Sequence, residues 1–347
     1  MEYAVIMAGG SGTRFWPEST RNKPKQCLAL NTDKPMIQET VDRLSGLFGD
    51  NLYIATGSRL KEKISEILPS VKFILEPMAR NTTGCIGLAC VKLLKKDPDA
   101  VIFMSGSDYV IKNKEVFLEY VKEGMELAKE GKIATIGITP FEPSSAFGYI
   151  NFTDLYKGSS YLVKGFVEKP SKEVAMRYLQ EGAYLWNSGM YIFRASVMME
   201  ELKKYEPEVY SSLMKIYDAI GSENEENVTK EQFEGMKSVQ IDYSVSERSD
   251  NLVVVKADLE WDDIGSWTSL DRHREKDEDG NVVKGDFLGI SSWNNIVFSD
   301  KMVATVGVED MIIVSTKDVV FVCPKSRAQE IKLLIQKMKD KNMESFL

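Results

Sequence analysis

Two kinds of apolar spacing alternate along the first part of this 347-residue chain. Continuous apolar runs at 3–7, 52–56, 72–75, 100–104 and 132–138 read as strands buried on both faces, because polar alternation is missing from them. Between them Ile37, Val41, Leu44 and Phe48 recur at helical spacing, as do Ile86, Ala89, Cys90 and Leu93. Phe117, Tyr120, Val121, Leu127 and Ala128 form a third, looser apolar face. Strands alternating with helices predict an α/β fold, a mostly parallel sheet with helices on both faces. In such sheets ligands bind beyond the carboxyl ends of the strands.

The pattern then loosens. Runs at 161–167, 190–193 and 252–256 read as further strands, 196–205 as a helix ending before Pro207, and the acidic stretch 221–227 as a loop. The charged, glycine-terminated segment 271–280 marks a boundary between a large unit, 1–275, and a small one, 281–347. In the small unit, apolar runs at 287–290, 295–298, 303–306, 311–314 and 319–322 follow one another with turn residues and no helix between them. They predict an all-β unit whose spacing suits a β-solenoid, although no strict hexapeptide repeat is visible. Ser326 and Gln329 make a capping-box pattern ahead of a closing helix, whose Ile331, Leu334, Ile335 and Met338 form one apolar stripe. The stripe is expected to pack on the β-unit or on a second subunit, so a homodimer is compatible with it. It is expected to carry no chemistry.

Composition removes several function classes. A net charge of -8 without a basic stripe argues against a nucleic-acid partner. The single histidine, His273, sits in a charged run that reads as a solvated face, and the four cysteines contain no Cys-x-x-Cys pair. Zinc binding and histidine-based catalysis are therefore disfavoured. With no signal-type start and no apolar run of membrane-spanning length, no membrane is expected as a partner, and a cytoplasmic location follows.

Chemistry-bearing residues concentrate directly after the first strand, in Ala8-Gly9-Gly10-Ser11-Gly12-Thr13-Arg14-Phe15-Trp16-Pro17 and the following Lys23-Pro24-Lys25-Gln26. Three glycines in four positions free the backbone to turn successive N–H groups toward one anion. Arg14 adds a guanidinium fork and Lys25 a mobile point charge, a combination suited to a nucleoside triphosphate. A P-loop would need Gly-Lys-Ser/Thr where Arg14 and Phe15 stand, and Phe15 also blocks the third glycine of a dinucleotide fingerprint. Asp108, just past the 100–104 strand, is placed either to hold Mg²⁺ between phosphates or to cap the next turn. Asp263, in Trp261-Asp262-Asp263-Ile264-Gly265-Ser266-Trp267, is expected at the head of a helix with the same two readings, and Asp262 would cap equally well.

These stretches resemble the sugar-nucleotide pyrophosphorylases, and Trp16-Pro17 with Pro24-Lys25-Gln26 most resembles the mannose-1-phosphate guanylyltransferase branch. The resemblance runs over about the first 270 residues. It implies a Rossmann-like, GT-A-like nucleotidyltransferase domain, followed by a small β-helix-like unit and a terminal helix. The implied reaction joins GTP and mannose 1-phosphate into GDP-mannose and pyrophosphate, with Mg²⁺ held by Asp108 and Asp263. Residues 8–14 and Lys25 would bind the nucleotide, with Arg14 and Lys25 clamping its phosphates. Glu76 and Asn81, in Glu76-Pro77-Met78-Ala79-Arg80-Asn81, would approach the base. In Phe166-Val167-Glu168-Lys169-Pro170, Lys169 would pair with the sugar phosphate and Glu168 accept from ring hydroxyls. Asn187, in Trp186-Asn187-Ser188-Gly189, would contact the sugar, with Gly148 of Phe147-Gly148-Tyr149 against it. Arg14, Lys25, Asp108, Lys169 and Asp263 form the implied catalytic set.

The chain departs from the family pattern at Asn81-Thr82-Thr83-Gly84-Cys85 (usually Asn-Thr-Ala-Pro-Ala) and at Ser107-Asp108-Tyr109 (usually Ser-Asp-His). Residues 241–244 match the family without an assignable role. Two other functions stay open: the same transfer with another hexose 1-phosphate and UTP, dTTP or ATP, and a non-catalytic sugar-nucleotide sensor. The extra cupin-type domain of longer relatives is not seen, so phosphomannose isomerase activity is not expected.

Overall fold

The computed structural model describes residues 1–10 and 12–347, so the expectation for Ser11 lies outside the described residues. The first half alternates as expected: β1 (Glu2–Met7), α1 (Met36–Phe48), β2 (Leu52–Gly57), α2 (Ser58–Ile67), β3 (Lys72–Glu76), α3 (Asn81–Lys96) and β4 (Val101–Gly106). Then come a short β5 (Val110–Ile111), α4 (Lys114–Lys129), β6 (Ile133–Ile138), β7 (Tyr149–Lys157), β8 (Ser160–Val167), α5 (Lys172–Glu181) and β9 (Tyr184–Arg194). Helices α6 (Ala195–Tyr205), α7 (Pro207–Ala219) and α8 (Glu225–Gly235) precede β10 (Leu252–Ala257) and a short β11 (Trp261–Asp262).

Nine of these strands form one sheet in the order β3-β2-β1-β4-β9-β6-β10-β8-β7. Only β8 and β9 run against the others, so the sheet is mostly parallel in direction although every contact of β9 is antiparallel. Apolar clusters cover it on both faces, one built around α3, α6 and α7, the other around α1 and α4. The continuous apolar runs of β1, β4 and β6 follow from this double burial. The expected acidic loop at 221–227 is corrected in part: α8 begins at Glu225, whose carboxylate pairs with Lys92 of α3. A helix so polar gave no apolar period to read.

The small unit contains β12 (Val282–Lys284), β13 (Phe287–Ile290), β14 (Ile296–Ser299), β15 (Val303–Val306), β16 (Met311–Ser315) and β17 (Val320–Pro324). Parallel stacks β12-β14-β16 and β13-β15 make it solenoid-like. The register Val282↔Ile296↔Ile312 gives coils of 14 and 16 residues, too long for a hexapeptide repeat to show. An asparagine ladder ties the coils: Asn281 Oδ1 accepts from Asn295 Nδ2 at 3.0 Å, and Asn295 Oδ1 accepts from Met311 N at 2.9 Å.

Closing helix α9 (Ile331–Asp340) lacks the expected capping box; a 3-10 turn, Lys325–Glu330, leads into it and no side chain caps it. Ile331, Ile335 and Met338 of the stripe are buried, while Leu334 is partly exposed. They share a core with Phe15, Trp16, Trp267 and the solenoid residues Ile296 and Phe298. Trp16 Nε1 also donates to the Phe346 carbonyl at 2.7 Å. The last helix thus packs on the back of the glycine-rich segment as well as on the β-unit. No helix among the described residues is long and apolar enough to cross a membrane.

Ile335→Ala tests this shared core. Truncation should cost about 2–5 kcal/mol, as for other buried aliphatic deletions. An unchanged urea midpoint would mean that α9 is not packed as described.

Candidate functional site

The site grows from the carboxyl ends of β1 and β4, which are neighbours in the sheet. Ala8 is pinned to β2 on both sides, its N–H donating to the Ala55 carbonyl at 2.9 Å and its carbonyl accepting from Thr56 Oγ1 at 2.7 Å. Beyond it Gly10 and Gly12 take left-handed φ values of 85° and 58°. At Gly12 a Cβ would lie 3.0 Å from the Lys25 backbone nitrogen and collide with the Lys25 side chain, so only glycine lets the two segments meet. Thr13–Phe15 forms a 3-10 turn that buries Phe15 and leaves Arg14 exposed, its Nη1 3.4 Å from the Gly265 carbonyl.

Lys25 is nearly buried, and its Nζ donates to Asp108 Oδ2 and to the Asp263 carbonyl, both at 2.6 Å. Asp108 and Asp263 meet because β5 and β11 form a two-residue antiparallel ladder that pairs Val110 with Asp262. Asp263 does not head a helix: it precedes Ile264, a β-branched residue at φ 43°, and the next helical turn is the 3-10 segment Trp267–Arg272. The strained turn is held by Asp262, whose Oδ1 accepts from Ile264 N at 2.7 Å and whose Oδ2 accepts from Arg272 Nη2 at 2.6 Å. His273 is not on a solvated face either. In its buried ring Nε2 lies 2.9 Å from Asp262 Oδ2. Burial alone would raise the Asp262 carboxyl, but His273 and Arg272 outweigh it and hold it below the usual range. Burial pushes the Asp263 carboxyl up, and Asp262 and Asp108 add to this against Lys25 and Arg14. Of two adjacent aspartates, one is consumed in holding the loop and the other faces the pocket.

That pocket has a volume of about 370 Å³ and is lined by the glycines, Arg14, Lys25, Asp108, Asp263 and, from α9, Lys332. A second cluster lies where β7, β8 and β9 meet. Tyr149 pairs with Val167 and with Trp186, so the residues beside these three, Gly148, Glu168 and Asn187, converge. Asn187 N donates to the Gly148 carbonyl at 2.8 Å, and a Cβ on Gly148 would strike Glu168 Oε2. Lys169, at φ 47°, pairs with the buried Glu168 and is itself half exposed.

Comparison with known proteins decides what carries these two clusters. A nucleotidyl transferase family model matches residues 3–280, and a MannoseP isomerase/GMP-like beta-helix domain model matches residues 285–338. Mannose-1-phosphate guanylyltransferase 2 of Escherichia coli O157:H7 is 37% identical over 352 residues, which cover 97% of this chain and 73% of that protein. Mannose-1-phosphate guanylyltransferase of Escherichia coli K12 is 36% identical over 350 residues, with the same coverage. The chain belongs to the mannose-1-phosphate guanylyltransferase family. Among solved structures, mannose-1-phosphate geranyltransferase from Thermus thermophilus matches with a TM-score of 0.90 at 29% identity, over 97% of this chain and 99% of that one.

In this guanylyltransferase-family chain the two residues expected at the base are set apart. Glu76 and Asn81 stand at the end of β3 and the start of α3, and Glu76 lines a different cavity of about 670 Å³ beside Lys92 and Glu225. That cavity is larger than the glycine-loop pocket but lacks its convergence of cations and carboxylates on glycine backbone. Burial pushes the Glu76 carboxyl up to about 7. Three residues were not assigned a role from sequence. Asp242, in a π-helical turn, accepts from Asn187 Nδ2 at 3.0 Å and from Tyr191 Oη at 2.7 Å, and burial raises its carboxyl, with Glu168 adding to the effect. Tyr109 lines the glycine-loop pocket, and its hydroxyl is raised by burial and then by Asp108, Asp263 and Asp242, so it stands between the two clusters. Lys332 is the third. The family-like stretch at 241–244 was the only available signal for Asp242; Tyr109 showed only as a departure from the family's histidine.

Glu76 gives a pH test of its environment. Its folded value lies above the ordinary 4.5, so its contribution to stability is full below 4.5 and is lost as pH rises through about 7. Glu76→Gln should therefore melt higher than the parent at about pH 8 and level with it at about pH 4. A difference independent of pH would mean that the carboxyl is not desolvated.

Proposed function

We infer that this chain transfers the guanylyl group of GTP to mannose 1-phosphate, giving GDP-mannose and pyrophosphate. Family membership supports the reaction, and one geometric observation carries the residue roles. Arg14, Lys25, Asp108 and Asp263 share one glycine-floored pocket, while Gly148, Glu168, Lys169 and Asn187 gather in a second cluster. Tyr109 stands between them.

A sugar phosphate oxygen attacks the α-phosphorus, and the bond from that phosphorus to the bridging oxygen breaks, its electron pair leaving with pyrophosphate. The nucleophile is already an anion at neutral pH, so no protein base is needed. Arg14 and Lys25 bind the phosphate chain, and Lys169 orients the incoming phosphate. Glu168 and Asn187 accept and donate hydrogen bonds at the sugar, with Asn187 held in place by Asp242. Glu76 and Asn81 are assigned to the base side.

The donor set fits a divalent ion. Asp108 and Asp263 offer oxygen ligands in one pocket. Such a pair matches Mg²⁺, an ion that takes one or two carboxylates and completes its shell with phosphate and water. Asp108 and Asp263 would hold it. When bound it supplies neutralisation of charge on the phosphate oxygens. The remaining work is positioning two polyanions and meeting charge with fixed groups.

The test is pyrophosphate release in Mg²⁺, crossing mannose and glucose 1-phosphates with GTP, ATP, UTP and dTTP. Mannose 1-phosphate with GTP should be strongly preferred, and Asp108→Asn and Asp263→Asn should each lose about a hundredfold or more in kcat. Another preferred pair would overturn the substrate assignment, and near-normal turnover of either variant would overturn the metal assignment.

A further inference from the structure

The phosphate-side pocket contains three cations, and two already have protein acceptors. Lys25 is bound to Asp108 and Asp263, and Arg14 leans on the Gly265 carbonyl. Lys332 lines the same pocket from the opposite end of the sequence, is exposed, and has no hydrogen-bond or ion-pair partner among the described residues. Its neighbours Ile331 and Ile335 are buried in the core that also holds Phe15 and Trp16, and α9 touches the Thr13–Phe15 turn. The helix backbone is thereby fixed against the glycine-rich segment, with the Lys332 side chain in the pocket lining. Glu168, Lys169 and Asn187 do not line this pocket, which places Lys332 on the side of the glycine loop and Arg14.

We propose that Lys332, supplied by the C-terminal unit, binds the part of the nucleoside triphosphate that leaves as pyrophosphate. An unpartnered ammonium on a helix anchored beside the glycine loop is matched to a polyphosphate oxygen. The small β-unit is then part of the active site, and the reaction needs both units folded together. This rests on the nucleotidyl-transfer reading above, but only on its triphosphate; the identity of base and sugar does not enter.

The experiment compares the full-length parent with Lys332→Ala, Lys332→Arg and Lys337→Ala. The last removes the same charge from another face of α9, about 140° around the helix at 100° per residue. Measured are KM for GTP and mannose 1-phosphate, KM for pyrophosphate in the reverse direction, GTP affinity by calorimetry in Mg²⁺, and melting temperature. Lys332→Ala should raise KM for GTP and for pyrophosphate and weaken GTP binding by about tenfold, the size of one charge-assisted contact. KM for mannose 1-phosphate and the melting temperature should not change, Lys332→Arg should recover most of the loss, and Lys337→Ala should match the parent. If Lys332→Ala behaves like Lys337→Ala, the proposal is wrong. A fall in stability with all KM values shifted together also overturns it, since that is a packing defect. A parent that prefers another nucleotide overturns the substrate assignment alone, and the same comparison is then made with that nucleotide.

Discussion

The Lys25 ammonium is the contact on which the site depends. It is withdrawn from solvent and satisfied by two oxygens, one on the Asp108 carboxylate and one on the Asp263 backbone. Those oxygens belong to segments that also meet through the two-residue β5–β11 ladder, the Lys112–Glu260 pair and the Tyr109–Trp261 ring contact. One charge therefore joins three distant parts of the chain: the stretch after the glycine loop, the end of β4 and the turn after β11. Removing it would leave the Asp108 and Asp263 carboxylates near each other with only the exposed Arg14 to offset them, a costly arrangement. Gly12 is the steric condition for this contact, because any Cβ there would push Lys25 away.

Around this contact the rest of the chain acts as a frame. The parallel strands bring the glycine loop and Asp108 to one sheet edge, and three-strand register brings Gly148, Glu168 and Asn187 together. Asp262, Arg272 and His273 hold the Ile264 turn so that the Asp263 carbonyl can face Lys25. The solenoid and α9 close the back of the glycine segment through Trp16, Trp267 and Ile335. For a reaction between two anions with no proton to move, such prealignment and fixed charge are the main means of catalysis.

Much of this was legible because the signals were local. Strands buried on both faces read as unbroken apolar runs, and the glycine loop with Arg14 and Lys25 has a spacing that excludes the other common phosphate loops. What was not legible depended on partners distant in sequence. His273 looked solvated because its burial comes from Asp262, eleven positions earlier, and from the packing around it. Nothing local distinguishes Asp262 from Asp263, which differ only in what the fold places opposite them. The apolar stripe of α9 was visible, but not that it would lie against Phe15 and Trp16 and bring Lys332 to the glycine-loop pocket. Helix α8 failed for another reason: its residues are largely polar, with Phe233 its one buried apolar side chain, so it carries little apolar period.

Lys25 serves as the cation between the two carboxylate-bearing segments, and the direct measurement is Mn²⁺ uptake followed by electron paramagnetic resonance. The parent protein should bind Mn²⁺ weakly alone and much more tightly with a non-hydrolysable GTP analogue, whose phosphates complete the shell. Lys25→Met should bind Mn²⁺ without nucleotide at least about tenfold more tightly than the parent, because the competing charge is gone. Tight binding of Mn²⁺ by the parent without nucleotide, or no gain in Lys25→Met, would contradict the account.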